Sequence, residues 1–362
     1  VRLLPIANPT PRWAVTEVEY VDAPDPDDPE RPLAPSARLH VHEDASREIL
    51  SRNDSPDLDF RWTVNPYRGC FHACAYCYAR PTHEYLGFGA GTDFDRHIVI
   101  KPEAPRLLRE AFERRSWQGE RVVFSGVTDC YQPLEATYGL TRGCLEVCRD
   151  YAQPVGIITK SPLVERDITL LAELAARASV HVVLSVPFWD VVRARAIEPY
   201  VATPQRRMTT IARLAAAGIE VGVNVAPIIQ GLNDEEVGDI LRAAREAGAT
   251  HAGAVLLRLP GAVAPVFEER LRAALPQRAD RVMHRLRETR DGDLYDSRWG
   301  NRGRGTGAYA DAIFALFERT ATRLGLRTSE MGEMGRGAVG QPTANPATTF
   351  RRPDRAAQLK LF

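Results

Sequence analysis

From residue 61 onward, short apolar runs of strand length alternate with stretches of helical spacing, and no other feature restricts the fold as strongly. The apolar runs cover residues 61–65, 121–125, 155–159, 180–186, 221–227 and 251–257. Helical periodicity fills 102–115, 141–152, 164–177, 203–217 and 234–247 between them. Ala217-Gly218 and Ala247-Gly248 put glycine where helices stop, and Asn233-Asp234-Glu235-Glu236 reads as a helix start with Asn233 as its cap. Such alternation builds βαβ units on a parallel sheet. Six runs fall short of an eight-stranded barrel, so the predicted fold is α/β, an open, partial (β/α)6 barrel with its chemistry at the C-terminal ends of the strands. A doubly wound sheet satisfies the same periodicity.

The flanking regions differ in composition. Residues 1–60 are rich in Pro and Asp, as in Asp22-Ala23-Pro24-Asp25-Pro26-Asp27-Asp28-Pro29, which favours extended or turn backbone over a packed domain. The barrel is expected over 61–260, a helical, Arg-rich region over 261–326, and a flexible tail over 327–362. The Lys+Arg and Asp+Glu counts are both 47, so attraction for a nucleic acid would need a local basic surface. No apolar run has the length of a membrane span, so no membrane partner is expected. Val1-Arg2-Leu3-Leu4-Pro5-Ile6 lacks the pattern of an export signal, and the expected compartment is the cytoplasm. Six cysteines in such a chain point to metal or redox chemistry rather than disulfides.

Three of them lie in one loop after the first apolar run, in Cys70-Phe71-His72-Ala73-Cys74-Ala75-Tyr76-Cys77. Three thiolates can hold three irons of a [4Fe–4S] cubane and leave the fourth open to another ligand. A structural zinc is the alternative. It needs four ligands, usually two separated pairs, and here His72 or Cys130 would have to supply the fourth.

The C-x3-C-x2-C loop after the first strand of a partial barrel resembles the signature of the radical S-adenosylmethionine (SAM) superfamily, and the resemblance spans about residues 61–260. It implies a [4Fe–4S] cluster on Cys70, Cys74 and Cys77 whose open iron is chelated by SAM. Reductive cleavage then yields a 5′-deoxyadenosyl radical that abstracts hydrogen from substrate. It also implies a reducing protein such as flavodoxin or ferredoxin. Tyr76 matches the family's aromatic beside the adenine. Ser125-Gly126-Val127-Thr128-Asp129 stands where the family binds the methionyl amino group, with Thr128 and Asp129 in place of the usual Gly-Gly-Glu. Lys160, Ser161, Ser185 and Asn224 follow the next strands as contacts for the cofactor's carboxylate and ribose, or as ordinary strand-end polar residues.

A closer resemblance is to the spore photoproduct lyase-like (DNA repair photolyase-like) branch. It rests on Cys74-Ala75-Tyr76-Cys77-Tyr78, on Gly126-Val127-Thr128-Asp129-Cys130-Tyr131-Gln132-Pro133-Leu134-Glu135, and on Val225-Ala226-Pro227-Ile228-Ile229. It implies that Tyr76, Tyr78 and Cys130 return the abstracted hydrogen, although Cys130 is offset from the branch's cysteine and a buried apolar role is its alternative. Cys144 and Cys148, four apart on a predicted helix, read as packing residues, with a second cluster shared with Cys130 as the alternative. The terminal Gln358-Leu359-Lys360-Leu361-Phe362 resembles the peptide by which bacterial repair proteins dock on the sliding clamp, with Gln358, Leu359, Leu361 and Phe362 as anchors. Arg298, Arg302 and Arg304, beside Trp299 in a Gly-rich loop, are candidate phosphate contacts.

The expected function is radical SAM chemistry on a nucleic-acid lesion. The alternatives are the same chemistry on a peptide, a tRNA or a small metabolite, and a non-enzymatic metal or cluster accessory protein bound to the clamp.

Overall fold

The computed structural model describes residues 15–29, 33, 36–58, 60–328 and 348–353. Among them the chain forms β1 (Val15–Tyr20), β2 (Ala37–Glu43), β3 (Leu50–Arg52), β4 (Trp62–Val64), β5 (Tyr67–Arg68), β6 (His97–Ile100), β7 (Val122–Phe124), β8 (Val155–Thr159), β9 (Val180–Ser185), β10 (Glu220–Ile228), β11 (His251–Leu256) and β12 (Arg327–Thr328). The six predicted runs are β4, β7, β8, β9, β10 and β11. They lie side by side in sequence order, all parallel. Sequential order winds the sheet in one direction, as in a barrel, instead of outward from a switch point. β12 extends one edge, parallel to β11, and β3 closes the other, antiparallel to β4. These two edges are not paired with each other, so the barrel is open.

Strands covered on both faces need near-continuous apolar sequence, and β8 to β10 have it. Val155, Ile157, Val182, Leu184, Val221 and Val223 are all buried. Outside them pack helices Ala104–Glu113, Leu140–Asp150, Ile168–Ala175, Pro204–Ala216 and Val237–Glu246, each spaced to bury one stripe. Leu108, Leu145, Leu174, Leu214 and Leu241 reach the shared core from these helices, and each full burial stabilises by about 1.5–3 kcal/mol. Cys144 and Cys148 lie fully buried in the same core and act as packing residues.

Gly218 and Gly248 end their helices with positive φ, as the sequence predicts. Asn233 departs from its predicted role as a cap. Its Oδ1 accepts from the Ile229 amide at 2.6 Å, and its Nδ2 donates to the carbonyls of Pro187 and Pro227. It clamps the loops after β9 and β10 together.

The N-terminal region is more structured than its composition predicts. β1 and β2 pair antiparallel, β2 runs parallel to β6, and β5 completes a four-stranded sheet. Within β2, Leu39 and Val41 alternate with His40 and point one face into a small core with Tyr67 and Phe71. The acidic run is held by charge instead. Asp25 pairs with Arg206 at 2.9 Å, and Asp27 pairs with Arg213 at 2.7 Å, on helix Pro204–Ala216.

Beyond the barrel, the predicted helical region contains Val263–Ala274, Pro276–Glu288, Asn301–Arg304 and Gly307–Arg323. Within the stretch read as a tail, residues 348–353 rest on the barrel. Phe350 stacks on Tyr151, and Arg352 donates to the carbonyls of Phe112 and Arg114. The clamp-like peptide at 358–362 lies outside the described residues. No helix among the described residues is long and apolar enough to cross a membrane.

Candidate active site

A cavity of about 850 Å³ opens at the C-terminal ends of β4 and β7 to β11, where the fold predicts the chemistry. Cys70, Cys74 and Cys77 all line it, and all three are free thiols. Their loop starts at Gly69, whose φ of +77° suits glycine. A Cβ there would fall 2.9 Å from the carbonyl oxygens of Phe94 and His97, so no larger residue fits. Two side chains, Gln132 and Arg80, hold the loop in place. The Gln132 amide donates to the Gly69 carbonyl and accepts from the Phe71 N–H. Arg80, almost fully buried, donates to the carbonyls of Cys74, Ala90 and Gly91 and pairs with Asp95 at 3.0 Å.

Thr128 and Asp129 reach the cavity wall, but their polar atoms serve the protein. Thr128 donates to the Gly69 carbonyl at 2.6 Å. Asp129 accepts from the Tyr131 amide and Thr159 hydroxyl on one oxygen, and from the Lys160 amide on the other, with His72 Nδ1 3.4 Å away. Burial works against its charge, yet these donors hold its carboxyl down at about 2. Asp129 therefore joins the ends of β7 and β8 to the cysteine loop. Its acceptors are already engaged, which leaves little for a methionyl amino group. Gly126 stands 3.1 Å from the Thr63 side chain at its missing Cβ, so the β7 end passes flush against β4.

Ser125, Gly126, Lys160, Ser185 and Asn224 also line the cavity. The Lys160 ammonium makes no ion pair among the described residues and lies 5.7 Å from the Tyr76 ring centre. Asn224 Oδ1 is buried without a hydrogen-bond partner, an arrangement that costs about 1–3 kcal/mol unless a ligand donates to it. The two tyrosines diverge. The Tyr76 ring lines the cavity while its hydroxyl donates to buried Glu198, which pairs with Arg207. Burial, then the Glu198 charge, keeps that phenol protonated. Tyr78 is 46% exposed, donates to the Gly126 carbonyl at 2.8 Å, and lies under the Arg258 guanidinium at 4.9 Å.

Two predicted residues are not brought to this cavity. Ser161 accepts from the Leu163 amide as a helix cap. Cys130 is fully buried in the barrel core, because positive φ at Ser125 (+83°) starts a tight turn that carries Cys130 and Tyr131 inward. The loop arginines are also engaged. Arg302 binds Asp57 and Ser55, and Arg298 binds Asp291 and Asp296. Arg258 also lines the cavity and makes no ion pair among the described residues; its position just after β11 was the available sequence signal.

The donor set fits an iron–sulfur cluster better than zinc. Among the described residues no three His, Cys, Asp or Glu side chains converge on one metal ion. Cys130 turns to the core and cannot complete a tetrahedral site, while His72 stands between Asp129 and the Cys70 thiol. Burial pushes the Cys74 and Cys77 thiols up, so a metal that binds them must displace their protons.

Several known proteins are similar to this chain. The fold matches a spore photoproduct lyase complexed with dinucleoside spore photoproduct, with a TM-score of 0.58 and 16% identity over 80% of this chain and 81% of that one. A variant of that lyase with bound AdoMet and the same dinucleoside matches with a TM-score of 0.55 and 15% identity, over 78% of this chain and 79% of that one. An uncharacterized protein of Mycobacterium tuberculosis is 39% identical over 246 residues, 67% of this chain and 72% of the relative. Another, from Methanocaldococcus jannaschii, is 30% identical over 176 residues, 49% of this chain and 63% of that relative. The family model described as Radical SAM superfamily matches residues 64–244, from the end of β4 into the helix after β10 and across the whole cysteine loop. With its cysteine loop at the mouth of an open parallel barrel, the chain belongs to the radical SAM superfamily.

Proposed function

We propose that this radical SAM enzyme acts on a nucleic acid, with a damaged base as its target. The observation that carries the reading is the mouth of the cavity. Three aromatic side chains stand exposed around it, Tyr78 at 46%, Tyr85 at 88% and Trp299 at 57%, with the unpaired Arg258 over Tyr78. Aromatic faces that accept bases by stacking, interleaved with cations, are how single-stranded or flipped-out nucleotides are held. The likeness to a lyase complexed with a dinucleoside photoproduct supports the same reading.

When bound, the cluster and SAM supply one-electron cleavage of the sulfonium and a hydrogen-abstracting 5′-deoxyadenosyl group. The chain's own residues divide the remaining work. Cys70, Cys74 and Cys77 hold the cluster. Tyr76 forms an aromatic wall for the adenine, while Asn224, Ser185 and Lys160 offer an acceptor, a hydroxyl and a cation to the ribose and carboxylate. Tyr78, exposed at the cavity mouth, is the tyrosine we assign to hydrogen-atom return: its O–H would give a hydrogen atom to the substrate radical, and the tyrosyl radical left behind would regain one from 5′-deoxyadenosine. Tyr76 has its hydroxyl turned away to Glu198.

Anaerobically reconstituted enzyme, given dithionite and SAM, is expected to release 5′-deoxyadenosine faster when ultraviolet-damaged single-stranded DNA is added. Equal rates with damaged DNA, undamaged DNA and no DNA would discard the nucleic-acid reading while leaving the radical chemistry in place. A flavodoxin or ferredoxin serves as electron donor in this proposal. The anchors Gln358, Leu359, Leu361 and Phe362 deliver the enzyme to the sliding clamp. Clamp-coated beads should retain the full chain and lose it on removal of the last five residues; retention independent of those residues would sink that part.

A further inference from the structure

One pair of cations in the cavity has no role in the site described so far. Lys101 follows β6 and Arg68 ends β5, and both line the cavity on the side of β4. The Lys101 amide donates to the Pro66 carbonyl at 2.9 Å, which fixes the lysine beside the segment leading into the cysteine loop. Lys101 is only 6% exposed. Neither side chain makes an ion pair or a hydrogen bond among the described residues. The acid that faces Lys101, Asp44, lies beyond ion-pair distance and accepts instead from the Ser46 hydroxyl at 2.7 Å. Thr63 and Asn65, also on the cavity wall, have their polar atoms satisfied by Ser51, Val127 and each other.

A lysine as deeply set as Lys101 without a counter-ion is unfavourable, and the half-buried Arg68 beside it makes matters worse. Burial and Arg68 both push the Lys101 pKa down. Folded proteins rarely keep two such charges in a cavity unless an anion arrives to share them. Lys160, after β8 and near Tyr76, is the cation proposed for the carboxylate of SAM. A phosphoryl group suits the chemistry of Arg68 and Lys101 together. A planar fork bonds two of its oxygens, and a point charge takes the same group from a second direction.

We propose that Lys101 and Arg68 form a subsite for a phosphoryl group of the substrate, next to the cluster loop and separate from the SAM carboxylate. The inference deepens the nucleic-acid reading by giving the backbone phosphate a fixed place two residues before Cys70. Three phosphorylated probes separate the sources: a single-stranded hexanucleotide, a nucleoside monophosphate and inorganic pyrophosphate. Each is titrated into the cluster-loaded full chain, as wild type, Lys101→Met and Lys101→Arg.

Lys101→Met is expected to weaken every phosphorylated probe that binds the wild type at least tenfold, about 1.4 kcal/mol, and Lys101→Arg to restore most of the loss. For the hexanucleotide, the slope of log affinity against log salt should fall by about 0.7. Without ligand, Lys101→Met should melt no lower than the wild type, because it removes an unpaired buried charge. Hexanucleotide binding that is the same in wild type and Lys101→Met would overturn the subsite and leave the nucleic-acid reading standing. Lys101-dependent binding of the monophosphate and pyrophosphate, with none of the hexanucleotide, would keep the subsite and remove that reading. If no phosphorylated probe binds the wild type, both fall. A lowered melting temperature in ligand-free Lys101→Met would assign the lysine to the fold and overturn the proposal.

Discussion

A Cys74→Ala protein, reconstituted anaerobically with iron and sulfide, is expected to lose the visible absorbance of a [4Fe–4S] cluster. It should then release 5′-deoxyadenosine at no more than the rate of an enzyme-free control. The reason lies in the loop. Its backbone is fixed by Gly69, Arg80 and Gln132 so that three thiols face one cavity, and no fourth cysteine can move in. Cys130, Cys144 and Cys148 are all fully buried in the barrel core. Alanine at position 74 leaves an iron without its thiolate and open to exchange. The effect should be all-or-none in cleavage rather than a change in affinity for SAM. It should also leave the protein folded, since burial of the Cys74 thiol contributes little compared with the barrel core. Circular dichroism and iron content, measured on the same preparation, check both halves. Wild-type rates of 5′-deoxyadenosine release from the variant would remove Cys74 from the cluster and with it the proposed chemistry.

Much of this architecture was legible because parallel strands buried on both faces leave a strong mark. The run at 155–159 is β8 residue for residue, and the other five runs match their strands to within two residues at each end. β2 was missed for a physical reason. It follows a Pro- and Asp-rich stretch, and its alternation uses His40 and His42, polar by composition yet half or fully buried in the structure. The acidic run before it escaped because Arg206 and Arg213, which bind it, lie some 180 residues further along, a number set by Asp25 and Arg206 at a separation of 181. Ion pairs of that kind have no local signature.

The site shows the same divide. Spacing alone revealed the cysteines, and strand ends marked Lys160, Ser185 and Asn224. Position in the sequence could not reveal direction. Cys130 and Ser161 sit beside cavity residues in sequence and turn away from them, because the backbone reverses at Ser125 and a helix begins after Ser161. Conversely Lys101 and Arg68 belong to no motif, and only the fold shows that they line the cavity without acids paired to them.

Arg207→Met is expected to destabilise the iron-free protein by about 3–5 kcal/mol in urea denaturation. Arg207 and Glu198 are each 1% exposed and paired with each other. The guanidinium also donates to the carbonyls of Ser185 at 2.8 Å and Ala202 at 2.9 Å, while Glu198 accepts the Tyr76 hydroxyl. One network therefore runs from the cysteine loop through Glu198 to the end of β9. Removing the cation alone strands a carboxylate in the core, where its choices are to draw a proton or to pull the helix end apart. Removing both charges does not. The double variant Arg207→Met with Glu198→Gln keeps an acceptor for Tyr76, so it should lose markedly less stability than Arg207→Met alone. That inequality separates a buried pair from two independent contributions, which would add. The network also predicts a functional trace. In the double variant, once loaded with cluster, the Ser185 carbonyl loses its Arg207 donor while Tyr76 keeps an acceptor, so the concentration of SAM needed for half-maximal cleavage should rise more than the maximal rate falls. If Arg207→Met proved as stable as the wild type, or the double variant less stable than the single, the chain of contacts behind Tyr76 would not be what holds that ring in place.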